Sequence, residues 1–245
     1  MFIGEAVSAR GVSERGYVLR AGARDVPGVL WMPEDAIGPR PLVLLGHGGS
    51  GHKRQDYITS MARRVVRHLG YAATAIDGPA HGDRAPDDMG ASIEEARRRW
   101  WRKRHTDEMI EDWKATIDAL QKLDGVGVAP VGYWGLSMGT IFGLPFVAAE
   151  PRVCVAVLGL MGVMGPTGDR LEEDAARVHC PVLFLLQWHD ELVERASAQH
   201  LFDRIASPDK RLHANPGKHV DVPFEEFDAS EAFLQRHLAV SPPAA

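Results

Sequence analysis

The sequence predicts an α/β fold in which a mostly parallel central sheet is covered by helices on both faces. Two observations carry this prediction. After residue 41, short continuous apolar runs alternate with segments of helical spacing. Continuous apolar runs are typical of strands buried on both faces, and strand–helix alternation is typical of parallel sheets. We expect one domain over residues 1–245, with a flexible tail at about residues 239–245.

The elements are predicted in chain order from their hydrophobic periodicity. Segments punctuated by Gly and Pro precede residue 41 and predict antiparallel strands over Glu5–Ser8, Tyr17–Arg20 and Gly28–Met32. Later apolar runs predict parallel strands over Pro41–Gly46, Tyr71–Ile76, Val131–Trp134, Val153–Leu158, Pro181–Leu186 and Arg211–Ala214. Helical spacing predicts helices over Tyr57–Leu69, Asp107–Leu123, Met138–Ala149, Ser197–Ile205 and Glu225–Leu238.

Charge narrows the classes of function. The chain has 28 Lys and Arg against 33 Asp and Glu, a net charge of −5. This balance suits a soluble enzyme better than a nucleic-acid binder, which shows a strong basic excess. The Arg- and Trp-rich segment 94–105 is flanked by acidic residues, which favours a salt-bridged helical face over a phosphate or membrane contact.

The sequence shows no sign of a membrane partner. It contains no uninterrupted apolar stretch long enough to span a bilayer, and its amino terminus lacks the pattern of a signal peptide. We therefore expect, by default, a cytoplasmic location. Cys154 and Cys180 are predicted to be buried free thiols, and no zinc-ligand spacing exists. The sequence leaves a monomer and a homodimer open.

The pentapeptide Gly135–Gly139, G-L-S-M-G, lies between a predicted strand and a predicted helix. In that setting Ser137 occupies a strained turn that points its hydroxyl out of the sheet, and the glycines avoid clashes with neighbouring backbone. The helix beginning at Met138 directs its free N–H groups at the serine. The alternative is a glycine-rich turn with an incidental serine, but the strand–turn–helix context favours a nucleophile.

A second glycine-rich loop, His47–Gly51 or H-G-G-S-G, follows the strand Pro41–Gly46. Small residues there let backbone amides approach a substrate oxygen. We predict that the N–H groups of Gly49 and Met138 form an oxyanion hole. A tight turn or a phosphate loop is the alternative, although no G-K-[ST] follows. His47 is interpreted as a structural loop histidine.

A serine nucleophile needs a base, and the base needs an acid that orients it. Asp190 follows a predicted strand and its Q-W-H extension, and His219 lies in the loop after the next predicted strand. We predict that Asp190 is the acid and His219 the base. The neighbouring Glu191 and Glu194 are interpreted as a solvated helix start, and Asp221 as a loop hydrogen-bond acceptor.

Together these motifs resemble the α/β-hydrolase superfamily, over about Gly28 to Leu238. The segment D-G-P-A-H-G-D-R is similar to the D-x-x-G-H-G loop of the dienelactone-hydrolase-like and prolyl-oligopeptidase-like branches. Q-W-H-D-E-L-V is similar to the acid loop G-x-x-D-x-x-V, with Gln187 in place of glycine. The resemblance implies a serine esterase without metal or organic cofactor. Residues 159–179 leave room for a loop and a short helix only, so no large lid is expected.

Dienelactone hydrolases proper use a cysteine nucleophile, so Ser137 favours a carboxylesterase that cleaves small acyl esters through an acyl-enzyme. A thioesterase, a peptidase or a carbon–carbon hydrolase on the same triad remains open, as does a non-catalytic ligand receptor of the same fold. We predict that substrate contacts come from His81, Trp134 and Trp188. The tryptophans of segment 94–105 either shade the pocket or pack against helices.

Overall fold

The computed structural model describes residues 1–86 and 92–239. The predicted flexible tail therefore lies outside the described residues, except for Ala239. Ten strands are present in this part of the chain. They are β1 (Phe2–Ile3), β2 (Val7–Ala9), β3 (Val12–Ala21), β4 (Arg24–Pro33), β5 (Leu42–Gly46), β6 (Ala72–Ile76), β7 (Val131–Gly135), β8 (Val153–Gly159), β9 (Val182–Gln187) and β10 (Lys210–Asn215).

The strands form a single sheet in the order β1-β3-β4-β6-β5-β7-β8-β9-β10, with β2 paired to β3. The strands from β1 to β4 pair antiparallel, and β4 joins β6 antiparallel. Every pairing from β6 through β10 is parallel. The carboxyl ends of β5 to β10 therefore meet along one edge of the sheet, where ligands bind in open α/β folds.

The helices are α1 (Asp56–Leu69), α2 (Ile93–Trp100), α3 (Lys103–Leu120), α4 (Met138–Ala149), α5 (Gly168–Ala175), α6 (Arg195–Arg204) and α7 (Glu225–Leu238). The predicted bounds of α4 and α7 are confirmed. Helix α2 overlaps segment 94–105, for which a helical face was favoured, and α5 is the short helix allowed for within residues 159–179; no bounds were predicted for either, because both are short and rich in charged residues. The predicted start of α3 was four residues late, since its first turn is polar.

Two apolar clusters cover the two faces of the sheet. Helices α3, α4, α5 and α6 belong to one cluster, and α1 and α7 to the other. Helix α4 is buried on nearly every side, which agrees with its almost wholly apolar sequence. Helices on both faces and the absence of a large lid in the described residues agree with the predicted fold class.

The prediction of buried cysteines is wrong for one of the two. Both thiols are free, but Cys154 is exposed and Cys180 is half-buried. Residue 154 lies near the amino end of β8 and points away from the covered positions on either side of it. Within residues 1–86 and 92–239, no helix combines the length and the apolar character that a bilayer crossing requires.

Candidate active site

Ser137 connects β7 to α4 in a strained conformation. Its φ of 58° and ψ of −118° are rarely adopted by a residue that has a Cβ atom. Its N–H donates to the carbonyl oxygen of Gly159 at 3.0 Å, and its own carbonyl accepts the N–H groups of Thr140 and Ile141. The backbone on both sides of the turn is therefore held, and Oγ lies at the carboxyl edge of the sheet.

Close packing explains why glycine flanks this turn. A Cβ atom on Gly139 would lie 2.5 Å from the carbonyl oxygen of Gly46, and one on Gly135 would lie 2.7 Å from the hydroxyl of Tyr133. The buried Thr140 adds a contact that the sequence did not signal. Its Oγ1 accepts the Gly159 N–H at 2.8 Å and lies 2.9 Å from the carbonyl oxygen of Gly135. The turn is thereby attached to the end of β8.

The structure brings three predicted side chains into one hydrogen-bonded line. Nε2 of His219 lies 2.9 Å from Oγ of Ser137, and Nδ1 lies 2.7 Å from Oδ2 of Asp190. The other carboxylate oxygen of Asp190 accepts the N–H groups of Leu192 and Val193 at 2.8 and 2.9 Å. Because a carboxylate only accepts, Nδ1 carries the proton and Nε2 presents its lone pair to the serine.

Glu191 has a different place from the solvated helix start that the sequence suggested. Its Oε2 accepts the backbone N–H of His219 at 2.9 Å. This hydrogen bond lowers the pKa of the Glu191 carboxyl below its ordinary value. The two neighbouring carboxylates thus bind different parts of His219: Asp190 accepts from the imidazole, and Glu191 accepts from the backbone N–H. Asp221 is a loop acceptor, as predicted, and its Oδ2 accepts the Lys218 N–H.

The predicted oxyanion donors are the backbone N–H groups of Gly49 and Met138. Among the described residues, neither the Gly49 N–H nor the Met138 N–H donates a hydrogen bond. The peptide before Gly49 is fixed by His47, whose Nδ1–H donates to the Gly48 carbonyl at 2.9 Å while Nε2 accepts the Gly78 N–H at 2.9 Å. Burial lowers the pKa of His47 to about 4, so the ring is neutral. His47 has the structural place predicted for it.

A buried ion pair attaches this loop to the loop after β6. The ammonium of Lys53 lies 2.5 Å from Oδ2 of Asp77 and 2.7 Å from Oδ2 of Asp83. Its backbone N–H also donates to Asp77. The bond to Lys53 lowers the pKa of Asp83. No function was predicted for Lys53, because a single lysine after a glycine loop has no recognisable pattern.

His81 lies behind the oxyanion loop and is buried. Its Nδ1 lies 2.8 Å from the Pro79 carbonyl oxygen, and its Nε2 lies 2.9 Å from that of Gly49. Both ring nitrogens are thus used within the protein. The ring still lines a cavity of about 240 Å³ beside Gly49, so a contact with substrate through its carbon atoms stays a prediction.

The prediction that Trp134 contacts substrate is wrong. Its side chain is 1% exposed and belongs to the apolar cluster under α1 and α7. Its Nε1 donates to Oγ of Ser230 at 3.2 Å. Side chains alternate along β7, so Tyr133 and Trp134 face opposite sides of the sheet rather than its edge. Trp188 differs, since it is 45% exposed after β9 with the guanidinium of Arg195 over its ring; its substrate contact stays a prediction.

Trp100 and Trp101 are both packed, and Trp100 also borders the site. The rings stack at 5.6 Å, and Nε1 of Trp101 donates to Oγ1 of Thr167 at 2.8 Å. The Trp100 ring lies so close to Gly49 that a Cβ atom there would be 2.9 Å from a ring carbon. Trp100 is therefore a wall of the cavity beside the oxyanion loop. No metal-binding group of three His, Cys, Asp or Glu occurs in residues 1–86 and 92–239.

Comparison with known proteins agrees with this geometry. A profile of the dienelactone hydrolase family matches residues 26–219. The chain belongs to this family. The match includes all three residues of the Ser137–His219–Asp190 line and the Gly49 loop. No sequence relative was found among the curated proteins.

Solved structures of esterases resemble this member of the dienelactone hydrolase family. A cold-adapted esterase from an Arctic intertidal metagenomic library is 43% identical, with a TM-score of 0.87 over 96% of this chain and 98% of that one. An acetyl xylan esterase from Paenibacillus sp. R4 is 18% identical, with a TM-score of 0.72 over 96% and 89%. An esterase from Pyrococcus furiosus is 16% identical, with a TM-score of 0.70 over 92% and 93%. The last two share the fold.

Proposed function

We propose that the protein is a serine carboxylesterase that cleaves small acyl esters through an acyl-enzyme. The observation that carries the proposal is the line from Oγ of Ser137 through His219 to Asp190, with distances of 2.9 and 2.7 Å. Such a line meets the geometric requirement for a nucleophile, its base and the acid that orients the base. The 43% identical structure is that of an esterase, which supports the same substrate class.

The first half of the reaction forms the acyl-enzyme. Oγ of Ser137 attacks the ester carbonyl carbon while its proton passes to Nε2 of His219. The C=O double bond opens, and the resulting oxyanion accepts the N–H groups of Gly49 and Met138. The carbonyl re-forms as the C–O bond to the alcohol breaks, and the leaving alkoxide takes the proton from His219. Asp190 stabilises the imidazolium that exists between these two transfers.

The second half repeats the sequence with water. Water gives a proton to Nε2 of His219 and attacks the acyl carbon, and Oγ of Ser137 leaves as the proton returns to it. Both halves pass through an oxyanion at the same position. Loss of one oxyanion donor typically costs roughly 3–4 kcal/mol of transition-state stabilisation.

We also propose that the protein is located in the cytoplasm and that its partner is a small-molecule acyl substrate. Cys154 and Cys180 are both free thiols, which suits the cytoplasm. The net charge of −5 does not favour a nucleic-acid partner.

The test compares wild type with Ser137→Ala on p-nitrophenyl acetate, butyrate and octanoate, on an acyl-CoA and on an aminoacyl anilide. We expect esters to be the best substrates and kcat to fall by roughly 10⁴-fold or more in the variant. A fluorophosphonate probe should label wild type and spare Ser137→Ala. The exposed Ser60 on α1 gives a matched control, Ser60→Ala, which should keep full activity. Ester hydrolysis retained by Ser137→Ala would refute the proposal.

A further inference from the structure

Gln187 ends β9 and lies between the loop that carries the acid and the loop that carries the base. It is 2% exposed. Its Nε2 donates to the carbonyl oxygen of Lys218 at 3.1 Å and to that of Asp221 at 2.7 Å. These two carbonyl groups lie on either side of His219 in the chain. Both protons of one buried amide are therefore used on the segment that carries the imidazole.

The amide of Gln187 has one workable orientation. A flipped amide would set its oxygen against two carbonyl oxygens, and three acceptors cannot bond to one another. Among the described residues, no donor reaches Oε1 of Gln187. The side chain keeps this orientation although one buried acceptor is left without a protein partner. The loop also comes close to it, since a Cβ atom on Gly217 would lie 3.0 Å from Nε2.

Among the described residues, backbone-to-backbone hydrogen bonds attach the two loops only as far as Gly217. The Trp188 N–H donates to the Asn215 carbonyl at 2.7 Å, and the His189 N–H donates to the Gly217 carbonyl at 3.0 Å. Beyond that point, side chains continue the attachment to the base. Glu191 holds the backbone N–H from the protein surface, whereas Gln187 holds the flanking carbonyls from the interior.

We propose that Gln187 is a positioning residue that keeps the imidazole of His219 in line between Ser137 and Asp190. The inference rests on the proposed function. Gln187 touches neither the reacting atoms nor the imidazole, so it acts through the backbone of residues 218–221. Without the two hydrogen bonds from Gln187, we expect the loop of residues 218–221 to move and Nε2 of His219 to shift away from Oγ of Ser137. A misplacement of about 1 Å costs on the order of 100-fold in rate.

The experiment uses two variants of similar volume, Gln187→Met and Gln187→Glu, with p-nitrophenyl acetate as substrate. Met removes both donors. Glu places oxygen against the carbonyl groups of Lys218 and Asp221, and it can donate only when protonated. Gln121→Met is the matched control, because Nε2 of Gln121 also donates to a backbone carbonyl, that of Ala129, far along the chain from the base. Active-site titration corrects every rate for the folded fraction.

We expect kcat to fall roughly tenfold to 100-fold in Gln187→Met while KM changes by less than about twofold. The rate of fluorophosphonate labelling should fall in parallel, since it depends on the same Ser137–His219 pair. Gln187→Glu should be slower still at neutral pH. Its deficit relative to wild type should shrink as pH falls and the new carboxyl gains its proton, whereas the deficit of Gln187→Met should not change with pH.

Three results would overturn the inference. One is a kcat for Gln187→Met within about threefold of wild type. Another is an equal and pH-independent loss in both variants, which indicates a general packing role. A third is the same loss in Gln121→Met. Ser137→Ala is measured alongside, and ester hydrolysis by that variant would contradict the proposed function itself and not only the role of Gln187.

Discussion

Asp190→Asn should abolish most of the activity by forcing the wrong tautomer on His219. In the native site one carboxylate oxygen of Asp190 accepts two backbone N–H groups, from Leu192 and Val193, and the other accepts Nδ1–H. An asparagine is expected to keep its oxygen toward the two N–H groups, since the opposite orientation sets its NH₂ group against two donors. Its NH₂ group then faces Nδ1 of His219. The imidazole has to accept there, so Nε2 carries the proton and cannot take one from Ser137.

The magnitude follows from the loss of the base. A triad whose base is held in the wrong tautomer loses on the order of 10⁴ in kcat, which corresponds to roughly 5 kcal/mol of transition-state stabilisation. KM for a short p-nitrophenyl ester should change little, because Asp190 lies behind the imidazole. The loss is read from initial rates, with circular dichroism to compare the folded fractions, because fluorophosphonate labelling depends on the same base.

Asp221→Asn is the matched control for this variant. Asp221 lies two residues after the base, and its Oδ2 accepts the Lys218 N–H at 3.1 Å without touching the imidazole. Its substitution should leave kcat within about twofold of wild type, because the side-chain oxygen of asparagine can still accept the Lys218 N–H. A kcat for Asp190→Asn within about tenfold of wild type would show that this carboxylate does not orient the base.

Three further outcomes are expected. Gly49→Ala should lower kcat by roughly 10²–10³-fold with little change in KM, because its methyl group collides with Trp100 and moves an oxyanion donor. Unchanged kinetics would show that the Gly49 N–H does not bind the oxyanion. Glu191 has a lowered pKa because its carboxylate accepts a backbone N–H. Its contribution to stability is therefore present above its unfolded pKa of 4.5 and lost as pH falls through the folded value, so the Tm difference between wild type and Glu191→Gln should vanish in acid; a difference that persists there contradicts the assignment. A thiol reagent at pH 8 should modify the exposed Cys154 quickly and spare Cys180, whose pKa burial raises to about 12, and mass spectrometry of the labelled peptides decides this.

Much of the site was predictable because each motif occupies a strand end. The strand-to-helix passage around Ser137 and the glycine loop containing Gly49 are local features, set by hydrophobic periodicity and by small residues. The order of serine, acid and base follows the order of the parallel strands. Parallel pairing then requires that these strand ends meet at one edge, so their proximity follows from the pattern alone.

The wrong predictions concern positions where the direction of a side chain decides the outcome. Trp134 precedes the nucleophile by three residues, but the alternation along β7 turns it toward α7. Cys154 lies within an apolar run and yet is exposed, although its neighbours Val153 and Val155 in β8 are buried. A run of apolar residues predicts a buried strand, but it does not show which of its side chains is exposed.

The sequence by itself determined the α/β architecture, the strained turn at Ser137 and the two glycine-rich loops, since each depends on residues that are neighbours in the chain. Only the tertiary structure decided how Asp190 and Glu191 divide their contacts with His219, and that Gln187 reaches the carbonyls on either side of it. Those contacts join residues about thirty positions apart through angles and distances of a few ångströms. The sequence pattern predicts the order of the strands and helices. A hydrogen bond depends on the relative orientation of two side chains, which is fixed only when the whole sheet is packed.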